Sequence, residues 1–156
     1  MFQHWGLRAL SGNDLDMVEW RCMKKVKRTS HALYDLWYHI AWSTKYRKKV
    51  LKGKVKERAK ALFQIIAAHH DSEISNLQIL EDHLHLLISV PPRIAPAKIV
   101  QVLKSYSTHV LFREFPELRN QYWGGELWIA GYFVRSVGPG LTKEAIQRYI
   151  SSQEQF

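Results

Sequence analysis

The stretch Asp82-His-Leu-His-Leu-Leu-Ile-Ser-Val90, closed by Pro91-Pro92, constrains this chain more than any other segment. Its alternation is that of a strand, and paired prolines cannot continue a sheet ladder. Residues two apart on a strand point to one face, so His83 and His85 stand side by side. Leu84 then points the other way, into a helix-covered core, and the histidines face the open side of the sheet. Two imidazoles placed in this way can meet one metal ion. The pair is not specific by itself, since many His-X-His pairs on strands are surface or structural features.

The flanking patterns supply a frame for that strand. Residues 34–43 are aromatic and β-branched enough for a first strand, followed by a basic connection over 45–52 that Gly53 breaks. Val55, Ala59, Leu62, Phe63, Ile66 and Ala67 recur at helical spacing and predict a helix over 54–70. A second strand follows over 73–80, with Glu81-Asp82 as the turn into the third, 83–90. Pro96 suits the first turn of a second helix, with a buried stripe of Ile99, Leu103, Tyr106 and Val110 and an end at Pro116. Residues 127–137 read as a fourth strand, broken by Gly138-Pro139-Gly140. Thr142 then caps a last helix over 143–153.

The order β-α-β-β-α-β-α begins as an α+β, ferredoxin-like split βαβ sandwich, an antiparallel sheet with helices on one face. The C-terminal helix is an addition to that core. It carries Tyr149 and Gln153, which are four apart and share a helix face. Read alone, Tyr149 is an amphipathic residue at a helix–sheet boundary and Gln153 a surface glutamine. Taken with the histidine pair, they supply the parts of a metal-assisted phosphoryl transfer through a covalent tyrosine. His39 reads first as a packed histidine, with a place near such a metal open to it if the first strand neighbours the third. His69-His70 reads as a cationic helix end.

Length and charge narrow the class. The 156 residues suffice for one domain with a real core; residues 1–28 show no sustained period and read as an N-terminal extension to a domain over 29–156, with Met23 as an alternative start. The single cysteine, Cys22, excludes an internal disulfide framework and suits a reducing cytoplasm. No apolar run approaches the roughly 20 residues of a membrane helix, and the first residues lack signal-peptide order. The net charge of +9 favours a polyanionic partner. Its densest cluster, Lys45, Arg47, Lys48, Lys49 and Lys52, continues into Lys54, Lys56, Arg58 and Lys60. Such a run is often only a solvated face, yet Trp37, Tyr38, Trp42 and Tyr46 interleave with it, and stacked bases need aromatic surfaces. Several of these aromatics must nevertheless be core.

Five segments occur in one order: Tyr38-His-Ile-Ala-Trp42, Lys45-Tyr-Arg-Lys-Lys-Val-Leu51, Asp82-His-Leu-His-Leu-Leu87, Gly131-Tyr-Phe-Val-Arg-Ser-Val-Gly138 and Tyr149-Ile-Ser-Ser-Gln153. Together they resemble the TnpA-type, single-tyrosine HUH transposases of insertion sequences that move as single-stranded DNA, and the related REP-associated tyrosine transposases. The resemblance covers residues 34–153. It implies that His83, His85 and Gln153 hold a divalent metal and that Tyr149 is the nucleophile. Zinc is the default for two imidazoles, but an amide oxygen and phosphate oxygens suit Mg²⁺ or Mn²⁺ better.

The family further implies cleavage and rejoining of single-stranded DNA beside hairpins through a 5′-phosphotyrosine, and a homodimer whose active sites are shared between subunits. The expected location is the cytoplasm, with the nucleoid. The chain departs from the family at Ser151-Ser152, where Glu-Asn is frequent. Other readings remain: a domesticated relative acting on chromosomal hairpins, a replication initiator or relaxase, or a non-catalytic RNA- or ssDNA-binding module on the same fold.

Overall fold

A computed structural model describes residues 26–138 and 143–152. The described residues fall into two units, divided after Asp35. In the first, β1 (Lys27–Arg28) pairs antiparallel with β2 (Leu33–Tyr34). Thr29 closes the turn between them, its Oγ1 accepting the Ala32 amide at 3.0 Å.

In the second unit, β3 (Trp37–Ser43), α1 (Gly53–His69), β4 (Glu73–Ile79) and β5 (His83–Ser89) precede α2 (Pro96–Glu114), α3 (Pro116–Arg119), β6 (Phe133–Val137) and α4 (Lys143–Ser152). The sheet runs β4-β5-β3-β6 and is antiparallel throughout. Strand β5 thus lies between β3 and β4, the two strands that α1 connects. This is the split βαβ arrangement expected from the element order.

Burial fixes the register. Ile40, Trp42, Leu84, Leu86 and Ile88 face Ala59, Leu62, Phe63 and Ile66 of α1 and Ile99, Leu103 and Leu111 of α2 in one core. Trp42 meets Phe63 edge-on at 5.8 Å and Trp128 at 5.9 Å. Each fully buried Leu or Ile contributes roughly 1.5–3 kcal/mol. A one-residue slip of β5 would expose Leu84, Leu86 and Ile88 and push both histidines into that core. The apolar face therefore decides where the imidazoles stand.

On the opposite face, Ile150 of α4 is fully buried against Leu87, with Trp37 and Val137 packed around them. The added helix accordingly covers the side of the sheet that α1 and α2 leave open.

Three expectations need correction. The last strand is only Phe133–Val137, because 127–132 is anchored otherwise: Leu127 and Trp128 are buried, Trp128 bridges Thr44, and Lys104 Nζ donates to the carbonyls of Ile129, Ala130 and Gly131. Tyr106, placed in the buried stripe of α2, is exposed, whereas Ser107 is buried and accepts the Trp128 indole N–H at 2.9 Å. The first strand starts at Trp37, and residue 34 belongs to the separate hairpin. Thr142 lies outside the described residues.

Candidate functional site

The site begins with cross-strand register. His83 pairs with Ser43, His85 with Ala41 and His39 with Leu87, so all three histidines stand on the α4 face of the sheet. The His83 and His85 rings lie 5.4 Å apart, nearly perpendicular. His39, on the neighbouring strand, stacks on His85 at 5.3 Å and approaches its Nδ1 with Nε2 at 3.1 Å. Phe133 of β6 packs edge-on against His39. Arg135 pairs with His39 in register and stands on the same face.

Each histidine of the pair has its Nδ1 engaged. His83 Nδ1 bonds Asp82 Oδ1 at 2.6 Å, and Asp82 Oδ2 accepts Arg47 Nε at 3.4 Å. His85 Nδ1 is held by His39. A ring nitrogen that donates to a neighbour leaves the other, Nε2, as the ligating atom, and such outer partners fix both tautomer and ring angle. Sequence reasoning missed both orienting contacts. The signals were present: a carboxylate immediately before His83, and a histidine on the strand that the split βαβ order places beside β5.

Protonation follows from this packing. Burial, and then the neighbouring His39 and His83, push His85 down to about 4. Burial and the charge of Arg135 also lower His39. Burial raises the Asp82 carboxyl, but its bond to His83 and the charges of His83 and Arg47 outweigh that and hold it below its ordinary range. Neutral imidazole is the form that binds metal.

The donor set fits the two-histidine share of a metal site. His39 is spent on His85 rather than converging beside it, and among the described residues no group of three His, Cys, Asp or Glu side chains forms a metal cluster. A third protein ligand has to come from elsewhere, and Gln153 lies outside the described residues. Tyr149 falls within α4. The next residue, Ile150, rests on Leu87, two positions along β5 from His85 and on the same face. The helix bearing Tyr149 thus lies over the histidine face of its own chain.

The basic cluster is partly self-satisfied. Lys45 pairs with Glu126, Arg47 with Asp82 and Lys52 with Glu81, while Lys48 Nζ donates to the Gln121 carbonyl. Lys49 is exposed. Of the four aromatics interleaved with this region, Trp42 is buried, Trp37 and Tyr38 are half-buried, and Tyr46 is exposed. A separate groove of about 730 Å³, lined by Lys104, His109, Arg113 and Trp128, lies in the helical layer, on the other side of the sheet from the histidines.

Residues 32–153 match the family described as IS200-like transposases. The chain belongs to that family. The IS200-like chain is 36% identical over 129 residues to the ISDra2 transposase TnpA of Deinococcus radiodurans, covering 83% of this chain and 91% of that one. It is 28% identical over 127 residues to the transposase for insertion sequence element IS200 of Salmonella typhimurium, covering 81% and 82%. A crystal structure of a Deinococcus radiodurans R1 protein superposes with a TM-score of 0.67 at 35% identity, over 81% of this chain and 97% of that one. A REP-associated tyrosine transposase bound to a REP hairpin shares the fold, with a TM-score of 0.54 at 10% identity over 80% and 67%. This IS200-like transposase is therefore a DNA-processing enzyme on a ferredoxin-like sheet.

Proposed function

We propose that the chain cleaves and rejoins single-stranded DNA beside hairpins, with Tyr149 as nucleophile and a divalent metal, Mg²⁺ or Mn²⁺, held by His83, His85 and Gln153. One observation carries this reading: two histidines oriented through Nδ1 lie on the sheet face that the tyrosine helix covers. When bound, the metal supplies Lewis-acid polarisation of the scissile phosphate. The Tyr149 phenol oxygen attacks phosphorus and loses its proton. The bond from phosphorus to the 3′ oxygen breaks, that oxygen takes up a proton, and a 5′-phosphotyrosine and a free 3′-hydroxyl result. Attack by another strand's 3′-hydroxyl reverses the exchange and joins DNA without ATP.

The chain's own side chains prepare the step. Asp82 and His39 hold the imidazoles, and Arg135 offers a cation for phosphate on the same face. Lys45, Arg47, Lys48, Lys49 and Lys52 are the proposed backbone contacts, with Lys48 and Lys49 the foremost because the ion pairs among the described residues engage Lys45, Arg47 and Lys52 instead. A protein of the same fold is bound to a REP hairpin, and a hairpin is the ligand proposed here. A homodimer is proposed as well, since β6 is an edge of the described sheet with Phe133 and Val134 exposed, an edge a second copy can extend. Incubation with hairpin-bearing single strands from the DNA flanking the gene should give cleavage with Mg²⁺ or Mn²⁺ and none in EDTA. Undiminished cleavage in EDTA would overturn the metal assignment.

A further inference from the structure

The turn after β3 carries a feature that phosphate transfer alone does not need. Tyr46 has φ 60° and ψ 15°, and Arg47 has φ 48°, so two consecutive residues with side chains occupy the left-handed region. That region is unfavourable for both, and such strain persists only where surrounding contacts enforce it. The contacts are on either side. Thr44, fully buried, donates its amide to the Asp82 carbonyl at 2.8 Å and its hydroxyl to the Lys48 carbonyl at 2.8 Å. The Arg47 amide donates to the Thr44 carbonyl at 3.0 Å, and its guanidinium reaches Asp82.

The result is a phenol ring held out from the protein, 70% exposed, at the end of the sheet where His83 begins β5. Lys45 and Lys48 place their ammonium groups 5.6 and 5.9 Å from the ring centre. The same Asp82 that orients His83 also anchors the strained turn. We infer that Tyr46 is a stacking platform for one base of the DNA strand entering the histidine site, with Lys48 set beside it for the adjoining phosphate. The inference rests on the reading of this face as a single-strand cleavage site. An aromatic ring flanked by cations suits an unpaired nucleobase, whose π-face stacks while its phosphate meets the charge. A duplex has no such face to offer. The fixed turn also means that little ordering is left to occur on binding.

The test uses the full chain in EDTA, where binding is read without cutting. A set of single-stranded oligonucleotides from the DNA flanking the gene carries 2-aminopurine at successive positions. Wild type should quench the probe at one position, and Tyr46→Phe and Tyr46→Trp should keep that quench. Tyr46→Ala should abolish it and weaken binding about tenfold, in line with loss of one stacked base. Tyr46→Gly should lose the quench equally while melting no lower than Tyr46→Ala, because glycine accepts the positive φ; this separates stacking from misfolding. Binding in which Tyr46→Ala quenches as wild type does would overturn the stacking role alone. Failure of wild type to bind any single strand, measured by anisotropy, would overturn the cleavage-site reading and this inference with it.

Discussion

Acidifying the metal-free protein should destabilise it through His85. In the unfolded chain this imidazole takes a proton near its ordinary value of 6.5, and in the folded chain only near about 4. Between these values the unfolded state holds the proton and the native state does not, so lowering the pH favours unfolding. The stability that neutral His85 preserves is fully present above the upper value and is lost as pH falls toward the lower one. For these two values the loss relative to pH 7 is about 2 kcal/mol at about pH 5 and about 3 kcal/mol at about pH 4. Lowered His39 acts in the same direction. Urea unfolding in EDTA at several pH values, for wild type and His85→Gln, isolates the effect, since other titrating groups are common to both. The wild-type stability should fall more steeply than that of the variant over this window. Parallel pH profiles would refute the claim that His85 is kept neutral by burial beside His39 and His83.

Other outcomes follow from the same geometry. His39→Ala should weaken Mn²⁺ binding, followed by electron paramagnetic resonance, by about 10–100-fold, with partial recovery in His39→Asn, because the acceptor for His85 Nδ1 is lost; unchanged affinity would leave His39 a packing residue. Lys49→Gln should flatten the log–log salt dependence of single-strand binding by about 0.7, and an unchanged slope would place the DNA backbone elsewhere. Co-expressing Tyr149→Phe with the double variant His83→Ala/His85→Ala should restore cleavage if α4 crosses between subunits. Inactive verified heterodimers would mean that each chain builds its own site, as the packing of Ile150 on Leu87 allows.

The sheet and its order were legible because periodicity reports burial. The alternation of β5 and the stripe of α1 are imprints of the one apolar core they share. That alternation also set the facing of His83 and His85, with Leu84 turned inward as expected. What the pattern did not carry was tertiary anchoring. Residues 127–132 look like strand, yet Lys104 and Thr44 claim their polar groups, and no local signal records a partner so distant in sequence. The basic cluster was legible as charge, while its internal pairing with Glu126, Asp82 and Glu81 depends on the folded turn. His39 was read as a histidine whose role hung on strand adjacency, and the sheet order settled that adjacency. The roles proposed for Gln153 and Tyr149 rest on the family resemblance.

Tyrosine chemistry is tested most directly by trapping its product. The protein is incubated with Mg²⁺ and a 5′-labelled and a 3′-labelled version of the same hairpin-bearing single strand, denatured, digested and sequenced by mass spectrometry. The expected result is a DNA–peptide adduct at Tyr149, joined through a 5′ phosphate and carrying only the 3′ label, and absent from Tyr149→Phe, which should still bind the hairpin. Strand cleavage by Tyr149→Phe, or an adduct on any other residue, would contradict the assignment of Tyr149 as nucleophile.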